Sequence, residues 1–178
     1  MKDLKKITTV YVASEDRIRL SGEAADGQPV TLWLTQRLLN RLLPQLLRWL
    51  ERQTAPKGGS AALARGEALQ HFAQQAARAT LARQIPVNAA AAGRGWLVVS
   101  VDMSASSDGV RLVFKGQDSI AMPEGYDSVR MSFQTQPLRQ WLDIVYRHYQ
   151  KSAWAPTMWP DWVRDSAADE PRSVVMLH

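Results

Sequence analysis

Cysteine is absent from the 178 residues, which excludes disulfides, thiolate nucleophiles, iron–sulfur clusters and Cys-ligated zinc. Histidine is scarce: His71, His148 and His178 are the only three. None has a second histidine at i+4 or a carboxylate at zinc-ligand spacing, so no metal ligand is assigned. No apolar run approaches the ~18 residues that would cross a bilayer, and no membrane span is expected. The basic N-terminus, MKDLKKITTVYVASEDRIRL, lacks the apolar stretch of a secretory signal, and a cytoplasmic location is the resulting expectation. Nucleophile-elbow, P-loop and dinucleotide-binding glycine patterns are also missing. With these gone, the sequence names no catalytic residue and no cofactor.

What remains is apolar bulk and positive charge. Hydrophobic residues make up 46% and charged residues 22%, ordinary proportions for a folded domain of this length. The formal charge is +5, unevenly spread. From residue 161 onward, Arg164 and Arg172 oppose Asp161, Asp165, Asp169 and Glu170, so the body before them is more basic than the whole.

The most constraining segment is TQRLLNRLLPQLLRWLERQ, residues 35–53. At about 100° per residue, Leu38, Leu39, Leu42, Leu43, Leu46, Leu47, Trp49 and Leu50 fill one side of a helical wheel. Arg37, Arg41, Arg48 and Arg52 form a stripe on the other. The apolar side must be buried and the arginines must face outward. Thr35 is placed to cap this helix, and Pro44 is expected to kink or interrupt it.

Around that helix the chain reads as α+β. ITTVYVA alternates as a half-buried strand, and a hairpin turning at Asp26-Gly27 follows, with Ile18, Leu20, Val30, Leu32 and Leu34 on its inner side. TAPKGGS reads as a linker. An Ala-rich helix over 60–84 follows, with Leu69, Phe72, Ala73, Ala76 and Leu81 near one face. GWLVVSVDM, VRLVF and SVRMSF are β-prone. A third helix then begins with Thr135 as its expected cap and Pro137 in its first turn.

The two ends of this map resemble each other. Val30, Leu32, Leu34 and Thr35 lead into the first helix as Val129, Met131, Phe133 and Thr135 lead into the third, with a one-residue slip at Gln134. The expectation is two antiparallel meander-plus-helix halves, 1–55 and 94–152, packed face to face by internal duplication. They form one α+β domain over 1–153, joined by the Ala-rich helix. An extended Trp- and Pro-rich tail over 154–178 follows.

Two features could carry function. The arginine stripe fits phosphates, an acidic partner, or simple solvation of a greasy helix. No RNA- or DNA-binding signature chooses among them. In the tail, Trp154, Trp159 and Trp162 are three of the chain's seven tryptophans. Each offers about 150–250 Å² of surface, which either covers the chain's own core or anchors a partner. The sequence therefore points to a non-catalytic interaction or assembly module that contacts another protein, or itself as a homodimer. Its expected contact residues are Arg37, Arg41, Arg48, Arg52, Trp154, Trp159 and Trp162. Nucleic-acid binding through the arginine stripe is the alternative, and an enzyme with a polar pocket around His148 or Asp102 is the other.

Overall fold

The computed structural model describes residues 1–54, 60–82, 84–88, 95–117 and 126–168. Six strands and four helices occur in the order β1 (Lys2–Val12), β2 (Arg17–Ala24), β3 (Pro29–Leu34), α1 (Gln36–Thr54), α2 (Ser60–Ala79), β4 (Trp96–Ala105), β5 (Val110–Gln117), β6 (Tyr126–Phe133), α3 (Thr135–Lys151) and α4 (Asp161–Ala168). The chain is α+β, as its pattern of periods predicts.

Each meander forms where turn chemistry permits. Between β2 and β3, Gly27 takes a positive φ of 78°, and the Asp26 carboxylate accepts from the Gln28 amide at 3.0 Å. Between β4 and β5, Gly109 passes so close to Phe133 that a Cβ there would collide with its carbonyl oxygen. Ile18 and Leu20 pair with Leu34 and Leu32, while Leu112 and Phe114 pair with Met131 and Val129. All eight point into one core.

The two meanders do not stack face to face. They join edge to edge into a single closed barrel in the order β1-β2-β3-β4-β5-β6. Two short parallel seams close it, Leu32 beside Trp96 and Lys2 beside Val129. Closure gives the edge strands partners for amide and carbonyl groups that would otherwise stand open.

β1 carries an irregularity between Leu4 and Lys6, and β4 carries one between Val98 and Ser100. Leu39 N–H donates to the Thr35 carbonyl at 3.1 Å, and Leu138 N–H to that of Gln134 at 3.0 Å. At the start of its helix, Gln134 holds the hydrogen-bond position that Thr35 holds in α1. Gln134, not Thr135, is the N-cap of α3, and it makes no side-chain capping bond. Thr35 does cap α1, its Oγ1 accepting from Leu38 N–H at 3.2 Å.

Each long helix reaches across to the other meander. The Trp49 indole on α1 donates to the Ser106 carbonyl beyond β4 at 3.3 Å. On α3, His148 Nε2 lies 2.8 Å from the Thr9 carbonyl of β1 while Nδ1 accepts from Tyr11 N–H at 3.3 Å. Pro44 does not interrupt α1, which is continuous from Gln36 to Thr54. Buried Leu39, Leu42 and Leu43 before it, and Leu46, Leu47 and Leu50 after it, anchor both flanks.

The bonds at His148 fix the neutral imidazole with its proton on Nε2. Burial depresses its pKa, with Lys151 adding to the effect and the Thr9 bond opposing it. A base with a folded pKa below its ordinary 6.5 contributes stability above pH 6.5 and loses it as pH falls. Urea unfolding should thus show lower stability at pH 5 than at pH 7.5, and His148→Phe should shrink that difference. An undiminished difference in the variant would contradict this assignment.

Candidate interaction surfaces

Arg37, Arg41, Arg48 and Arg52 are all exposed on one side of α1, as the wheel requires. Among the described residues, none of the ion pairs involves them. Arg48 is tethered, its Nε donating to the Pro44 carbonyl at 3.2 Å. The stripe is an exposed cationic face on a helix held by its buried side.

The tryptophans are placed differently. Trp154, Trp159 and Trp162 all belong to the central core. Trp154 donates to the Asp16 carboxylate at 2.7 Å and sits edge-on to Tyr11 and Tyr149. Trp159 meets Tyr146 and Tyr149 edge-on, at 5.2 and 5.5 Å. Trp162 lies under the Arg139 guanidinium, 5.2 Å from the ring centre. All three are buried against the chain's own core.

The segment that carries them is not extended throughout. Trp159 N–H turns back to the Pro156 carbonyl, and α4 starts immediately after Pro160, whose carbonyl accepts from Val163 and Arg164. Proline breaks the chain into a strap and a short helix, which lay three indoles against the domain. The terminal SVVMLH, the Lys57-Gly58-Gly59 part of the linker, and most of PVNAAAAGRG lie outside the described residues.

Helix α2 ends at Ala79, short of residue 84, and its more apolar face is turned outward: Phe72 is 70% exposed and Leu69 44%. Gln70, Gln74 and Ala77 are buried instead. The cause lies on α3, which presents Arg139 and Asp143 to α2, both buried. Gln70 donates to the Leu50 carbonyl at 3.0 Å and accepts from Arg139, and it also bonds Thr54. Gln74 donates to the Arg139 carbonyl at 3.1 Å, and Gln140 to the Ala77 carbonyl at 2.9 Å.

Asp143 sits between Arg147 at 3.0 Å and Arg78 at 3.7 Å. Among the described residues no carboxylate pairs with Arg139, and burial lowers its pKa to about 10. Polar groups removed from water need polar partners, so glutamines win this interface over Leu69 and Phe72.

Where α1 ends, α2 and α4 frame a cleft of about 810 Å³. Glu51, Glu67, Asp161 and Asp165 line it, with Trp159 and Trp162 among its walls. Arg164 also lines it and is already paired with Asp161. Neither His148 nor Asp102 borders this cleft. Both His148 ring nitrogens are engaged, and Asp102 pairs with Lys115 on the barrel at 2.6 Å.

Among the described residues, no group of three or more His, Asp or Glu could hold a metal ion. None of their helices is long and apolar enough to cross a membrane. Compared with models of protein families, with curated proteins and with solved structures, the chain matches none.

Removing one member of a buried ion pair strands the other, at a typical cost of about 3–5 kcal/mol. Asp143→Ala should lose stability on that scale in urea unfolding, because Arg78 and Arg147 then face each other without their shared carboxylate. A change under about 1 kcal/mol would show that this seam does not hold α2 in place.

Proposed function

We propose that the chain is a cytoplasmic, non-catalytic interaction module that self-associates through the outward side of α2. The observation that carries this is Phe72, 70% exposed in the middle of a helix whose Gln70 and Gln74 are buried. An aromatic ring left in water on an ordered helix is costly unless a partner covers it.

A second copy suits this face for a geometric reason. Ala68 and Ala76 stand four residues either side of Phe72, all three exposed along one row. In an antiparallel pair of α2 helices with the two-fold axis at Phe72, each ring meets the other beside small alanines. The backbones can then approach closely and every contact is made twice. The 20 residues of α2 give this seam about 30 Å of length. The exposed arginine stripe of α1 gives the same module a second, cationic contact face.

Sedimentation equilibrium tests the reading. The native chain should weigh as a dimer of 19.9 kDa protomers at micromolar concentration, and Phe72→Glu should weigh as one protomer with an unchanged thermal transition. A native monomer at the highest soluble concentration, or a Phe72→Glu variant that still dimerises, would remove this proposal.

A further inference from the structure

We infer that the arginine stripe of α1 binds double-stranded DNA through its two phosphate backbones, without reading sequence. The assignment rests on the cationic contact face proposed above and not on the α2 seam. Its first support is the way the charge is held. Helix α1 carries four arginines, one acid and no lysine. Arg37 with Arg41, and Arg48 with Arg52, are like charges at i, i+4, an arrangement that weakens a helix. Arg37 also stands in a first turn that holds no acid, where the positive end of the helix dipole disfavours a cation.

A face that served solubility alone would mix both signs of charge. Among the described residues, Lys115, Arg130 and Arg164 each pair with a carboxylate, whereas none of the ion pairs includes the four arginines of α1. An array of anions laid along the stripe offsets the repulsion it carries. A pI of about 9.8 with four arginines in one row on a helix is the electrostatic footprint of a nucleic-acid contact. Arginine's planar fork takes a phosphate through two parallel hydrogen bonds.

Spacing is the second support. Arg37 and Arg48, like Arg41 and Arg52, are three helical turns apart to within about 20°, so two equivalent pairs share one side. At about 1.5 Å per residue, Arg41 and Arg48 are about 10 Å apart along the axis, and Arg37 and Arg52 about 22 Å. The B-DNA major groove, about 12 Å wide, falls between those limits. One pair therefore meets each of the two backbones that border the groove. In A-form RNA the major groove is narrow and does not match.

The same face is unsuited to other polyanions. Every exposed residue of α1 is Arg, Asn, Gln or Glu. Nothing apolar is available to sink into a lipid surface, and no ring to stack the bases of a single strand. Duplex DNA presents one charge per ~1.7 Å of axis. Protein surfaces, which mix signs, do not sustain that density.

Fluorescence anisotropy of a labelled 16-base-pair DNA duplex, titrated with the full chain, tests the inference. Affinity should fall on the order of 100-fold between 50 and 200 mM salt, a log–log slope of about −3.6 for four neutralised phosphates. Arg37→Gln with Arg41→Gln, or Arg48→Gln with Arg52→Gln, should weaken binding at least tenfold and cut the slope to about half. All four positions are exposed, so the thermal transition should hold. Glu51→Gln should strengthen binding, because it removes the only carboxylate of α1.

The separated single strand, an RNA duplex of equal length, a Gly-Glu peptide and phosphatidylserine vesicles should each bind at least tenfold more weakly. Phe72→Glu should keep its DNA affinity per protomer even as a monomer, which separates this contact from self-association. No binding by the DNA duplex, an unchanged slope in either double variant, or equal binding by any of the four competitors would overturn the inference. Loss of DNA binding in Phe72→Glu would move the contact to α2 and overturn it equally.

Discussion

The rest of the structure depends on how the apolar side of α1 is buried. Leu39, Leu43, Leu46 and Leu50 are fully excluded from water in a core shared with the barrel. Such a surface can be covered only by another apolar surface of matching width. The barrel interior and α3 supply it. Once they do, the apolar faces of both long helices are spent, and what α3 still presents to a further helix is polar: Arg139, Gln140 and Asp143. Helix α2 can dock there only by presenting glutamines. Its apolar stripe is turned outward as a consequence of satisfying α3.

The same logic explains the tryptophan strap. Tyr11 on β1 and Tyr146 and Tyr149 on α3 leave aromatic edges to be covered. Trp154 and Trp159 cover them in edge-on geometry, which suits the ring quadrupoles. Trp162 covers the Arg139 guanidinium. The strap closes the core and also borders the cleft framed by α1, α2 and α4.

Local features were legible in the sequence because their causes are local. The α1 wheel, the Thr35 cap and the Asp26-Gly27 turn each depend on residues within a few positions of one another. The outward arginines follow from the wheel alone. What could not be read depends on distant partners. The parallel seams pair Leu32 with Trp96 and Lys2 with Val129, and nothing in either strand announces its neighbour. The orientation of α2 was not legible because glutamine usually marks a solvated face. Only Arg139 and Asp143, standing four residues apart at the margin of the α3 apolar face, signalled that a polar helix would be needed there. Trp154, Trp159 and Trp162 are recognisable as needing cover, but the sequence does not say whether that cover is the chain itself.

The central claim is that α2 is held by its polar side with its apolar side in water. The absence of native cysteine makes thiol labelling of single-cysteine variants a clean measure of it. At low protein concentration, Phe72→Cys should react with a thiol reagent at nearly the rate of a free cysteine. Ala77→Cys, on the side facing α3, should be protected until the protein unfolds. Rapid labelling at position 77 with protection at position 72 would contradict the account.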